Sequence, residues 1–225
     1  MRYRAILFDL DGTLLDSLAD LASAANRVLV ARGLPVHPEE AYRFFVGDGM
    51  ATLVERILPA PLRTPALVAE AMAAFEADYG RNWQVRTCPY PGIAPMLDSL
   101  VAGGIRLSIL SNKPDGFTRL CVERLLSQWS FVPLLGQRPG VPKKPDPTAA
   151  LAIAAHLGVA PEAILYVGDS AVDMQTARGA GMDAVGVLWG FRTAGELRAA
   201  GAHHLIAQPK ELLPLVFSSA APPSR

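Results

Sequence analysis

At 225 residues the chain is long for one domain and short for two, and its 51% hydrophobic and 19% charged residues exclude disorder. Twenty-one basic residues balance 21 acidic ones, and the longest basic cluster is Lys143–Lys144, so the sequence offers no basic stripe for nucleic acid. No apolar run of roughly 18 residues is free of charges and turn formers, no apolar leader precedes Asp9, and Cys88 and Cys121 fit neither a CxxC nor a zinc spacing. A reduced, cytoplasmic protein that does not engage membranes is expected.

In chain order, Ala5-Ile6-Leu7-Phe8 reads as a strand buried on both faces, ending in the turn Asp9-Leu10-Asp11-Gly12-Thr13. Leu18, Leu21, Ala22, Ala25, Val28 and Leu29 then keep helical spacing until Gly33 and Pro35 close the helix. Pro38-Glu39-Glu40 starts a further helical turn running to Val46, and Gly47-Asp48-Gly49 breaks it. Residues 50–58 and 66–79 read as two more helices. After Pro89-Tyr90-Pro91-Gly92 the pattern alternates. Helices near 93–102, 115–127, 147–157, 171–179 and 193–200 are interleaved with strands at 105–110, 131–135, 164–167, 184–188 and 205–207. Such alternation predicts βαβ units and an α/β fold with a doubly wound, Rossmann-like parallel sheet. Residues 1–14 and 86–225 would form this core, and 15–85 an inserted α-helical domain. The tail 218–225 is expected to fray.

In an open parallel sheet, ligands bind at the carboxyl ends of the strands. Those ends carry Asp9 and Asp11, then Ser111-Asn112-Lys113, then Lys144-Pro145-Asp146-Pro147, then Gly168-Asp169-Ser170 with Asp173. Each has a plainer reading. Asp11-Gly12 suits a turn, Ser111 and Asp169 suit helix N-caps, and Lys143 and Lys144 suit a solvated loop. Taken together, their gathering at one edge of the sheet favours a site. Three carboxylates in one crevice need a counter-charge. With only oxygen donors and no His or Cys nearby, Mg2+ is the natural cation. Ser111, Lys144 and the amides of the 10–13 turn could hold phosphoryl oxygens. One carboxylate could act as nucleophile, and a second, two residues away, as acid and base. Gly179-Ala180-Gly181 follows a helix and precedes a strand, the reverse of a dinucleotide fingerprint. His203-His204 lacks a third ligand, and His37 and His156 read as structural.

The segment Asp9-Leu10-Asp11-Gly12-Thr13-Leu14-Leu15-Asp16-Ser17 resembles the first motif of the haloacid-dehalogenase-like hydrolase superfamily. Ser111-Asn112-Lys113-Pro114, Lys144-Pro145-Asp146-Pro147 and Gly168-Asp169-Ser170 with Asp173 resemble its second, third and fourth motifs, in the family's order. Residues 15–85 resemble its small helical cap. Val46-Gly47-Asp48-Gly49-Met50, Val54-Glu55-Arg56 and the second motif are most similar to the phosphoglycolate phosphatase branch.

The resemblance implies that Asp9 is the nucleophile and an Mg2+ ligand. It makes Asp11 the acid and base, with its backbone carbonyl on the metal. Ser111 would bond the phosphoryl group, and Lys144 would steady Asp9 and the phosphoryl charge. Asp169 would bind Mg2+, with Asp173 supporting it directly or through water, and Thr13 and Asn112 would line the phosphate site. The cap would close over the site and read the leaving group. Gly47 and Gly49 flank a candidate substrate loop that reads equally well as a helix–helix turn, with Asp48 expected to point away. Arg56 and Lys113 are candidates to pair with a substrate carboxylate, although Arg56 also reads as a solvated helix charge.

The implied activity is Mg2+-dependent hydrolysis of a small phosphate monoester, 2-phosphoglycolate, through an aspartyl-phosphate. The alternatives are a broad-specificity phosphatase for sugar phosphates, nucleotides or pyrophosphate, and a non-catalytic phosphate-sensing or partner-binding protein. Residues 15–88 contain no lysine, which disfavours relatives that work through a cap lysine. A small phosphorylated metabolite is the expected partner, to a monomer or homodimer.

Overall fold

The computed structural model describes residues 2–217. Strand β1 (Ala5–Phe8) is followed by the two-residue strand β2 (Leu15–Asp16) and then by helices α1 (Leu18–Ala31), α2 (Tyr42–Phe45), α3 (Met50–Ile57) and α4 (Pro65–Asn82). Strand β3 (Cys88–Pro89) returns the chain, and α5 (Ile93–Ala102), β4 (Arg106–Pro114), α6 (Asp115–Leu125), β5 (Phe131–Gln137) and α7 (Thr148–Leu157) follow. The chain continues through β6 (Ile164–Gly168), α8 (Ala171–Gly179), β7 (Asp183–Val187), α9 (Ala194–Ala199), β8 (His204–Ile206) and α10 (Leu212–Phe217). The tail 218–225 lies outside the described residues.

Six strands form one parallel sheet in the order β5-β4-β1-β6-β7-β8. The α/β doubly wound core is therefore as expected. All four residues of β1 are buried, which suits its place between β4 and β6. Its alternate side chains feed two cores. Ile6 and Phe8 join one hydrophobic cluster, and Ala5 and Leu7 join the other with α7 and α8 residues such as Ile153 and Met174. The first cluster runs on without a break into the helical insertion, through Leu21, Phe75 and Tyr79. From β1 the chain winds towards β4 and β5, and from the neighbouring β6 towards β7 and β8. The crevice thus opens at the carboxyl ends of β1 and β6, where Asp9 and Asp169 stand.

The structure adds elements that the pattern did not predict. Leu15 pairs antiparallel with Pro89 and Asp16 with Cys88, so the chain leaves and re-enters the core through one short ladder. The all-helical stretch expected from residue 15 thus starts at Leu18. Helix α10 closes the described chain. Strand β4 does not stop at 110 but continues through Ser111 to Pro114, where it still pairs with Gln137 of β5. Thr64 caps α4 by accepting from the Leu67 amide, with Pro65 supplying the first helical φ. None of the helices among the described residues is long and apolar enough to cross a membrane.

Candidate active site

The turn after β1 places Asp9 at the floor of the crevice, 7% exposed, with its amide bonded to the Val167 carbonyl. Gly12 takes φ +81°, a conformation that glycine adopts freely. A Cβ there would also lie 2.4 Å from Asp169 Oδ2. This close approach brings the β1 and β6 turns together. Asp9, Asp169 and Asp173 are all buried and offer carboxylate oxygens within 4.8 Å of one another.

Lys144, from the loop after β5, lies beneath them. Its Nζ is 2.8 Å from Asp9 Oδ1 and 2.7 Å from Asp173 Oδ1, and it donates to the Leu110 carbonyl at 3.1 Å. The solvated-loop reading of Lys144 is therefore wrong: its side chain is 2% exposed. Asp173 is fully committed. Oδ1 holds Lys144 and accepts from Tyr166, while Oδ2 accepts from the amide and hydroxyl of Ser170. Ser170, not Asp169, is the N-cap of α8, in a reciprocal capping box with Asp173.

Burial, and then the Asp173 charge, raise the Asp9 carboxyl to about 7 against the pull of Lys144. Burial, then Asp173 and Asp9, push Asp169 well above the ordinary range. Burial alone would lower Lys144, but Asp173 and Asp9 outweigh it and hold the ammonium charged. One ammonium against three carboxylates leaves the cluster short of positive charge, and all the donors are oxygens. The residues therefore fit a divalent cation.

The charge deficit has a consequence for stability. Between the ordinary carboxylate range and about pH 7, folded Asp9 binds a proton that the unfolded chain has released. Stability must then fall as pH rises through that window. In chelator, the melting temperature is expected to drop between about pH 5 and pH 7.5, and saturating Mg2+ should flatten the drop by supplying the missing charge. Parallel melting curves with and without Mg2+ would contradict this reading of the cluster.

Above the carboxylates lies a cavity of about 50 Å3 lined by Asp9, Asp11, Ser111, Asn112, Lys113, Gly47 and Gly49, with an apolar wall of Leu21, Met50, Leu53, Phe75, Tyr79 and Phe191. The candidate residues fare differently here. Ser111 lines the cavity and accepts from the Lys113 amide. Asn112 also lines it, yet its side-chain amide is spent on the Gly47 and Lys144 carbonyls and the Lys144 amide. It stitches loops together and has little left for a phosphate. Thr13 Oγ1 is buried with no hydrogen-bond partner among the described residues. The glycines flank a loop held from below by Lys143, which donates to the Asp48 carbonyl at 2.7 Å. Arg56 is not brought to the cavity. It pairs with Asp48 at 2.6 Å and donates to the Phe44 and Phe45 carbonyls, bracing that loop.

Lys113 is buried. Its Nζ sits 3.0 Å and 3.1 Å from the two Asp11 oxygens and 2.9 Å from the Tyr79 hydroxyl.

Two contributors carried no signal in the motifs. Tyr79 reaches the cavity from α4, where Ala71, Phe75 and Tyr79 recur every fourth residue and read as packing. The loop after β7 sends the Phe191 amide to Asp169 Oδ2 at 2.7 Å and the Trp189 indole to the Thr13 carbonyl. The same loop meets the insertion through Arg43 to the Gly190 carbonyl and Arg192 to the Val46 carbonyl.

Residues 6–187 match the family model of the haloacid dehalogenase-like hydrolases. The chain belongs to that family. It is 35% identical to a phosphoglycolate phosphatase of Pseudomonas putida, covering 94% of this chain and 79% of that one, and 36% identical to a phosphoglycolate phosphatase of Nitrosospira multiformis, covering 84% of each. Among solved structures, a Lactobacillus delbrueckii protein provisionally described as a phosphoglycolate phosphatase superimposes with a TM-score of 0.90 at 31% identity, over 97% of this chain and 100% of its own. Family and relatives make the chain a phosphoric monoester hydrolase.

Proposed function

We propose that the chain is a Mg2+-dependent phosphatase that hydrolyses a small monoester, 2-phosphoglycolate, through an aspartyl-phosphate. The observation that carries this reading is the buried grouping of Asp9, Asp169 and Asp173 on Lys144, beneath a cavity of about 50 Å3. That volume has room for a group of only a few atoms, which suits a small leaving group. The names of the relatives point to the same ester.

Asp9 Oδ1 is held by Lys144, which leaves Oδ2 to attack phosphorus while the bond to the leaving oxygen breaks. Asp11, two residues on and reaching the same cavity, delivers a proton to that oxygen. The acyl phosphate is then cleaved by water, whose proton returns to Asp11, and phosphate leaves with Asp9 restored. Asp9, Asp169 and the Asp11 backbone carbonyl would hold Mg2+, which supplies positive charge against the phosphoryl oxygens. Asp173, with both oxygens engaged, serves by fixing Lys144 and the start of α8. Ser111 donates to the phosphoryl group. In this reading, residues 1–14 and 86–225 form the chemical core, residues 15–85 form the cap that selects the leaving group, and the protein works in the cytoplasm on a free metabolite.

The test is phosphate release from a panel of small monoesters with Mg2+. We expect kcat/KM for 2-phosphoglycolate to exceed that of sugar phosphates and nucleotides by about 100-fold, roughly 2.7 kcal/mol of discrimination. Equal rates across the panel would refute the narrow substrate, and no release at all would refute the catalytic role of Asp9.

A further inference from the structure

We infer that Lys113, placed by Tyr79 of the insertion, is the residue that selects substrates whose leaving group ends in a carboxylate. The inference rests on the phosphatase reading above and decides between Arg56 and Lys113, the two cations the sequence offers to a substrate carboxylate. Among the described residues, Lys113 is the one cation lining the cavity, and its side chain is 4% exposed. Lys144 lies below the carboxylates and is engaged by two of them. Arg56 is turned to Asp48. An ester bearing a second negative charge therefore has, among the described residues, a single cation to meet in this cavity.

The structure contains a stand-in for that charge. The carboxylate of Asp11 sits on Lys113 Nζ with both oxygens in hydrogen-bond range, at 3.0 Å and 3.1 Å. Nζ is thus already placed to receive a carboxylate from the cavity side. Its third partner is the Tyr79 hydroxyl at 2.9 Å, and the ammonium also lies 4.8 Å from the centre of the Tyr79 ring. Tyr79 is itself held, stacked on Phe75 and edge-on to Phe117. The cation comes from the core, but the insertion aims it.

A bound carboxylate takes over the Lys113 ammonium hydrogens that Asp11 accepts. Asp11 also accepts from Ser17 at 2.6 Å, so it keeps a partner when Lys113 turns to the substrate. An ester without a carboxylate offers nothing to displace Asp11. Selectivity for the charged leaving group then comes with release of the residue that must reach the leaving oxygen.

The experiment compares two esters of equal length, 2-phosphoglycolate and 2-hydroxyethyl phosphate, on wild type, Lys113→Met and Tyr79→Phe with Mg2+. The readout is the ratio of their kcat/KM values. Wild type should favour the carboxylate ester. Lys113→Met should lower the ratio by about 10- to 100-fold, the worth of a charge-assisted hydrogen bond. Tyr79→Phe, which keeps the ring and the packing, should lower it by roughly 3- to 10-fold, with the change in KM for the carboxylate ester. If both esters lose rate equally in Lys113→Met, the lysine serves Asp11 alone and the inference fails while the phosphatase reading stands. A wild-type ratio near one overturns both the inference and the choice of 2-phosphoglycolate.

Discussion

Replacing Asp9 by asparagine will reduce phosphate release by on the order of 10^4-fold or more, the scale of loss when a covalent nucleophile is removed. The amide has the carboxylate's shape but cannot take the phosphoryl group. The fold should bear the change well. Asp9 is buried beside Asp169 and Asp173, and its carboxyl is pushed up to about 7, so a neutral side chain relieves the crowding. Lys144 keeps Asp173 at 2.7 Å. In chelator at neutral pH, Asp9→Asn should therefore melt no lower than wild type. Acid quenching during turnover, followed by intact mass measurement, should show a phosphorylated wild-type chain and none in the variant. Release within ten-fold of wild type would end the covalent mechanism.

Lys144→Met should be the most costly single change to stability. The ammonium is the shared partner of Asp9 and Asp173 and also donates to the Leu110 carbonyl. Removing one member of a buried ionic group leaves charges unpaired and costs about 3–5 kcal/mol. Denaturant unfolding at pH 7.5 measures it. The loss should shrink at about pH 5, where the orphaned Asp9, already pushed up to about 7, can take up a proton. A loss below about 1 kcal/mol would mean that the carboxylates find other partners, and that Lys144 matters only for the reacting phosphate.

The core was legible because its signals are local. Ala5-Ile6-Leu7-Phe8 can only be buried on both faces, and the polar residues that follow each strand announce its carboxyl end. What escaped was set by partners distant in sequence. Two-residue strands carry no periodicity, so the pairing of Leu15–Asp16 with Cys88–Pro89 left no trace. Ser111-Asn112-Lys113-Pro114 is polar and looks like a loop, yet it continues β4 because β5 runs alongside. Asp169 and Ser170 are both able to cap a helix, and only the reach of Asp173 decides between them. Arg56 looked free because nothing in its own helix shows that Asp48 turns back to meet it. Tyr79 shares an apolar spacing with Phe75, and periodicity cannot tell a packed ring from a hydroxyl that reaches a lysine in a cavity.

The ladder between Leu15–Asp16 and Cys88–Pro89 has a bearing on how such a chain can diversify. The two cuts that would excise everything between its strands lie side by side, so the sheet has the same ends to join whatever is spliced there. Lineages can lengthen, shorten or exchange that segment and try new metabolites, while Asp9 and its lysine stay under separate selection. Because Lys113 answers to Tyr79 across the join, a grafted segment would inherit the reaction but would have to supply its own way of aiming that charge.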